Sequence, residues 1–456
     1  MDTGDTAWVM VSAALVLLMT PGLALFYGGM VRAKSVLNMM MMSFGALALI
    51  SVLWVLYGYS IAFGDSVAGA GLLGDPTQFL GLDGLIGTGT GEDDLGVATH
   101  LVGTVPAAAF VAFQAVFAII TVALISGAIA DRARFGTWML FAGIWATVVY
   151  FPVAHWVFSF DGVTAGEGST GGWIANRLAA VDFAGGTAVH INAGAAGLAL
   201  ALVLGRRIGF GRDPMRPHNL PLVMIGAGLL WFGWFGFNAG SAVAANGTAA
   251  VAWVNTMAAT GAAALGWLLT ERIRNGHATS LGAASGIVSG LVAVTPACSS
   301  LNPVGSIVLG LVAGVLCALA VGLKYRFGYD DSLDVVGVHL VGGLVGTIGV
   351  GFLATADAPA GVDGLLYGGG ADQLLRQVVG AFAVLAFSFL VTYLIGTVLQ
   401  RTVGFRLEAD DEISGIDLAA HAEAGYDLVP VTGGGFRPGT GAGAGTSSTT
   451  EQEVRA

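Results

Sequence analysis

Eleven apolar runs, each long enough to cross a bilayer, decide what this chain can become. They cover roughly residues 7–31, 37–63, 100–130, 135–157, 183–204, 220–244, 249–270, 279–295, 302–323, 335–354 and 376–400. A helical crossing needs about 17 to 20 residues. Only 10 % of the 456 residues are charged and 55 % are hydrophobic, whereas a soluble domain carries about a quarter charged residues. The expected fold is an all-α polytopic membrane protein of eleven transmembrane helices. Glycine is frequent, at 72 residues, and small residues let membrane helices pack closely.

Positive charge alternates along the loops. Arg32 and Lys34 follow the first run, Arg132 and Arg134 the third, and Arg206, Arg207, Arg212 and Arg216 the fifth. Arg272 and Arg274 follow the seventh, Lys324 and Arg326 the ninth, and Arg401 and Arg406 the eleventh. The other loops hold only Arg177 and Arg376, beside most of the acids. The positive-inside rule therefore expects the N-terminus outside and the C-terminus in the cytoplasm. Ten or twelve crossings would break the alternation. The net charge is −11; the acids concentrate in exposed segments, a pattern that suits high external salt. No basic segment precedes the first run, so no cleaved leader is expected. Cys298 and Cys317 sit in apolar surroundings and imply neither a disulfide framework nor a zinc site.

Two histidines lie deep in these runs: His190 between Phe183 and Leu204, His339 between Val335 and Phe352. An ionisable side chain at membrane depth is expensive and marks an ion, proton or substrate path. The fifth run reads Asp182-Phe-Ala-Gly-Gly-Thr-Ala-Val-His190-Ile-Asn-Ala-Gly194, the tenth Asp334-Val-Val-Gly-Val-His339-Leu-Val-Gly-Gly343. Each has an acid at its start and a glycine four residues after the histidine. Five runs per half make the halves antiparallel, an inverted repeat whose active elements meet near the midplane; the eleventh helix is extra. Asp182 lies eight residues before His190, about 12 Å along a helix. It caps the helix or takes part in proton chemistry.

Aromatic residues form a second constellation. Phe113 and Phe117 are spaced to stack on one helix face. Trp234, Phe237 and Ser241 sit near the outer end of the sixth run, where π faces beside a hydroxyl suit a small cation. No P-loop, dinucleotide fingerprint, zinc signature or catalytic triad appears. The chain is therefore read as a non-enzyme without metal, cofactor or nucleic-acid partner.

These residues resemble the ammonium transporter family, the Amt/MEP/Rh group, and its prokaryotic Amt branch most. The resemblance rests on the segment around His190, on Phe113-Gln-Ala-Val-Phe117, Gly233-Trp-Phe-Gly-Phe-Asn-Ala-Gly-Ser241, Val294-Thr-Pro-Ala-Cys298, Asp334-Val-Val-Gly-Val-His339 and Pro21-Gly-Leu-Ala-Leu-Phe-Tyr-Gly-Gly29. It covers about residues 6–430. It implies ammonium uptake across the cell membrane by a homotrimer with one pore per subunit. His190 and His339 would be the twin histidines of the pore, and Phe113 and Phe117 its gate. Trp234, Phe237 and Ser241 would form the external ammonium site, supported by Asp182; Thr295 belongs to a family motif. The family's other external tryptophan falls at Phe158 here, with Trp156 and Trp173 as alternative rings. Residues 1–400 would be the transmembrane domain. Residues 401–430, including Gly415-Ile-Asp-Leu-Ala-Ala-His421, resemble the cytoplasmic regulatory segment that meets PII signal proteins. Residues 431–456, rich in Gly, Thr and Ser, read as a disordered tail. A passive NH3 or CO2 channel and an ammonium sensor are the other readings.

Overall fold

The computed structural model describes residues 1–86 and 100–426. Ten of its helices are long and apolar enough to cross a membrane. They are α1 (Thr3–Met30), α2 (Ala33–Phe63), α3 (Ala107–Ile129), α4 (Phe135–Phe158), α5 (Gly186–Leu204), α6 (Leu220–Gly240), α7 (Gly247–Asn275), α9 (Pro303–Phe327), α10 (Val336–Leu353) and α11 (Asp372–Thr402). The shorter apolar helix α8 (Ser280–Val294) has 15 residues. The architecture is that of an all-α, multi-pass membrane protein. The acidic stretch that includes Glu92, Asp93 and Asp94, the last residues of the 401–430 segment from 427 on, and the expected tail at 431–456 lie outside the described residues.

Helix starts follow from capping chemistry. The first turn leaves backbone N–H groups unpaired, and an Asn or Thr oxygen before it can accept from one of them. The Asn219 side chain accepts from Leu222 N at 3.0 Å, Asn246 from Ala249 N at 3.1 Å, Thr279 from Gly282 N at 2.8 Å and Asn302 from Gly305 N at 2.8 Å. These caps open α6 to α9 in turn. At the third run the helix begins later than the apolar pattern does. Leu101–Val102 and Val105–Pro106 pair instead as a two-stranded antiparallel ribbon, and α3 starts after Pro106.

The basic loops converge on one end of the bundle. Arg207 binds Asp330 through Nε and a terminal nitrogen, each at 2.9 Å, and reaches Asp131 at 3.1 Å. Arg32 joins Asp131 at 3.3 Å. Arg132 is fully buried, and burial pushes its guanidinium down to about 10. It donates to Ser332 Oγ and to the Asp330 carbonyl, both at 2.6 Å. Burial also raises the Asp330 carboxyl, but its Arg207 and Arg132 partners outweigh that and hold it below the ordinary value. A buried charge is tolerable only when paired in this way.

The segment after α11 docks on this end. Leu407 N donates to Arg132 O at 3.0 Å. Arg406 holds the Leu204 carbonyl and Glu412, at 2.9 and 2.8 Å, and Glu412 accepts from Ile208 N at 2.6 Å. Two short helices follow, α12 (Ala409–Ser414) and α13 (Ile416–His421). Lys34 donates to the Ile413 carbonyl near the end of α12. Asp417 in α13 accepts from Leu37 N and Asn38 N at 3.0 and 2.8 Å, near the start of α2.

Candidate pore and vestibule

His190 and His339 face one another inside the bundle. Their Nδ1 atoms are 3.3 Å apart, and the rings lie 5.4 Å apart at 21°. A neutral imidazole has one donor and one acceptor nitrogen. In this contact one ring donates from Nδ1 and the other accepts, so the two Nε2 atoms differ in protonation. Among the described residues, the buried His190 Nε2 has no hydrogen-bond partner.

The backbone of both helices is built for this meeting, and the two sites share their spacing. Asp182 precedes α5 and folds its carboxylate over the first turn. Oδ1 accepts from Gly185 N and Gly186 N at 2.8 and 2.6 Å; Oδ2 accepts from Thr187 N and Ala188 N at 2.7 and 3.3 Å and from the Thr187 hydroxyl. Asp331, eight residues before His339, accepts from Val335 N and Val336 N at 3.0 and 2.7 Å. Burial raises its carboxyl, and Lys324 opposes that rise. The acid matching Asp182 is therefore Asp331, not Asp334 as the spacing from the run's start had implied. Asp334 binds Lys324 at 2.7 Å. It stands five residues before its histidine with φ of 65°, as Gly185 does with φ of 121°. Both histidines then sit in a turn of π-helix, Gly186–Ile191 and Val336–Leu340. Such turns recur at functional sites.

The helices cross at their glycines. A Cβ on Gly194 would lie 2.5 Å from Leu340 N, and one on Gly343 would lie 3.0 Å from Ile191 Cγ1. Each glycine, four residues after its own histidine, packs on the residue that follows the other histidine.

Two cavities flank an aromatic partition. The outer one is a vestibule of about 720 Å³ whose lining includes Phe110, Gln114, Phe117, Phe158, Asp182 and Ser241. The inner one has a volume of about 10 Å³, and its lining includes His190, His339, Trp234, Phe237, Leu23 and Ile120. That is the room of about one water-sized sphere. Phe117 faces the vestibule and Phe237 the inner cavity, and their rings meet at 4.3 Å.

The family follows from the whole-chain comparison. The sequence profile of the Ammonium Transporter Family matches residues 7–426. An ammonium transporter of Mycobacterium tuberculosis is 62 % identical over 448 residues, 96 % of this chain and 93 % of that protein. The chain belongs to the ammonium transporter family. An ammonium transporter of Aquifex aeolicus is 46 % identical over 94 % of both chains. Among solved structures, Candida albicans Mep2 superposes with a TM-score of 0.80 at 34 % identity, covering 95 % of this chain and 92 % of its own. A "Sensor Amt Protein" gives a TM-score of 0.80 at 26 % identity, covering 92 % and 98 %.

Within this member of the family the aromatic residues divide differently from the sequence expectation. Trp234 and Phe237 line the inner cavity rather than the outer site. The Trp234 ring stacks on His190 at 5.3 Å and 16°. Its indole N–H donates to Thr295 Oγ1 at 2.8 Å, which gives that threonine a positioning task. Ser241 and Phe158 do line the vestibule. Phe113 meets Phe117 edge to face, at 4.9 Å and 67°, but lines neither cavity. The partition is therefore Phe117 with Phe237, because a helix places residues 113 and 117 on overlapping but unequal faces. Trp156 and Trp173 do not replace the ring at Phe158. They pack on each other at 5.9 Å, and Trp156 packs on Phe387 at 4.7 Å.

Proposed function

We propose that this protein carries ammonium into the cell: the vestibule recruits NH4+, the proton leaves near the Phe117–Phe237 partition, and NH3 crosses past the histidines. The observation that carries this reading is the small, mostly apolar cavity of about 10 Å³ at His190 and His339 behind a wide aromatic vestibule. A bare cation in such an apolar passage costs several kcal/mol, and ammonia avoids that cost. Phenyl faces at Phe110, Phe117 and Phe158 attract a cation by about 0.5–2 kcal/mol, and Ser241 supplies an acceptor. The Nδ1 contact lets the pair pass a proton by exchanging tautomers, with one Nε2 accepting as the other donates.

Eleven crossings fit this reading, with α8 as the shortest, the basic end in the cytoplasm and the N-terminus outside. The matched surroundings of His190 and His339 support an inverted repeat of five helices each, with α11 added. The vestibule and the histidine cavity are both built from a single chain, which fits a homotrimer with one pore per subunit. The docked part of the 401–430 segment would then face the cytoplasm and offer the surface for a PII-type signal protein.

Ammonium pulses on solid-supported membranes carrying the purified protein test this directly. The expected result is a saturable, inward-directed transient current. Ammonia permeation without current would reassign the protein to passive gas conduction.

A further inference from the structure

Gln114 lies between the two phenylalanines of Phe113-Gln-Ala-Val-Phe117 and lines the vestibule. It is only 7 % exposed. Among the described residues its side-chain amide has no hydrogen-bond partner. Its amide is open to the vestibule rather than sealed in the core, and its carbonyl oxygen can accept two hydrogen bonds. With Phe110 and Phe117 it forms the vestibule-facing stripe of α3, at spacings of four and three residues.

The electrostatics of the vestibule give this amide a task. Asp182 is the only carboxylate among the described lining residues, and five donors already occupy its oxygens. Arg376 is in the same lining and forms no ion pair among the described residues. Recognition of a cation there falls to neutral acceptors and π faces. Ser241 donates its hydroxyl hydrogen to the Phe237 carbonyl at 2.8 Å, leaving its oxygen lone pairs to accept. One hydroxyl oxygen cannot satisfy the four N–H groups of ammonium.

We propose that Gln114 is a specificity-determining residue of the vestibule, its Oε1 accepting a hydrogen bond from the recruited ammonium ion. This rests on the transport reading above. A hydrogen bond to a charged donor is stronger than a neutral one, so its loss shifts affinity by about tenfold.

The test is the half-saturating ammonium concentration of the evoked current, for wild type, Gln114→Leu and Gln114→Glu. Gln114→Leu is expected to raise it about tenfold, a larger change than in the saturating current. Gln114→Glu is expected to lower it about threefold at low salt, and the gain should fade as salt rises. A responsive wild type with a Leu variant within twofold of it would overturn the assignment alone. A silent wild type would overturn the transport reading and this one with it. Should Gln114→Leu carry no current, Gln114→Glu decides: an unchanged or raised half-saturating concentration refutes the role.

Discussion

Asp182→Ala is expected to abolish ammonium-evoked current and to lower the melting temperature of the purified protein. The carboxylate accepts four backbone N–H bonds and one hydroxyl bond at the start of α5. Alanine leaves these buried donors unpaired, each at a cost of about 1–3 kcal/mol. The first turn would open, and it is the turn that holds His190. Asp182→Asn keeps one acceptor oxygen but turns an NH2 toward N–H groups, so it should retain little of the current. Wild-type current and melting in Asp182→Ala would mean that the cap does not position the pore.

Gly194→Ala is the second large effect. Its Cβ would sit 2.5 Å from Leu340 N, a backbone atom that cannot rotate away. The helices α5 and α10 must separate, and His339, which adjoins Leu340, must move from His190. Overpacking of this kind costs about 1–3 kcal/mol. Gly343→Ala should be milder, because its contacts are looser: 3.0 Å to Ile191 Cγ1 and 3.1 Å to the backbone atoms Gly186 O and Ile191 N. The expected order in both melting temperature and ammonium current is wild type, Gly343→Ala, Gly194→Ala. Equal behaviour of the two variants would refute the close-crossing argument.

Much of the helical architecture was legible because membrane helices announce themselves by long apolar runs, and polar caps mark where they begin. The ribbon before α3 was not, since Leu101, Val102 and Val105 are apolar in either conformation. The histidines stood out through the cost of burying them. The sequence points to Asp334 as the partner acid of His339 because it directly precedes the apolar run, as Asp182 does in the fifth; the equal spacing of eight residues from each histidine identifies Asp331 instead. Trp234 and Phe237 looked external because a sequence gives depth along a helix only roughly, whereas the rings lean back toward the previous turn. The sequence does not single out Gln114 between two phenylalanines, because whether an amide is free or bonded depends on neighbours from other helices.

The central claim is that transport passes through the histidine pair. Current evoked by ammonium pulses in His190→Leu/His339→Leu, against wild type at equal protein density, tests it most directly. The account predicts that the double variant carries no detectable current while folding with wild-type melting behaviour. Undiminished current in that variant would contradict it.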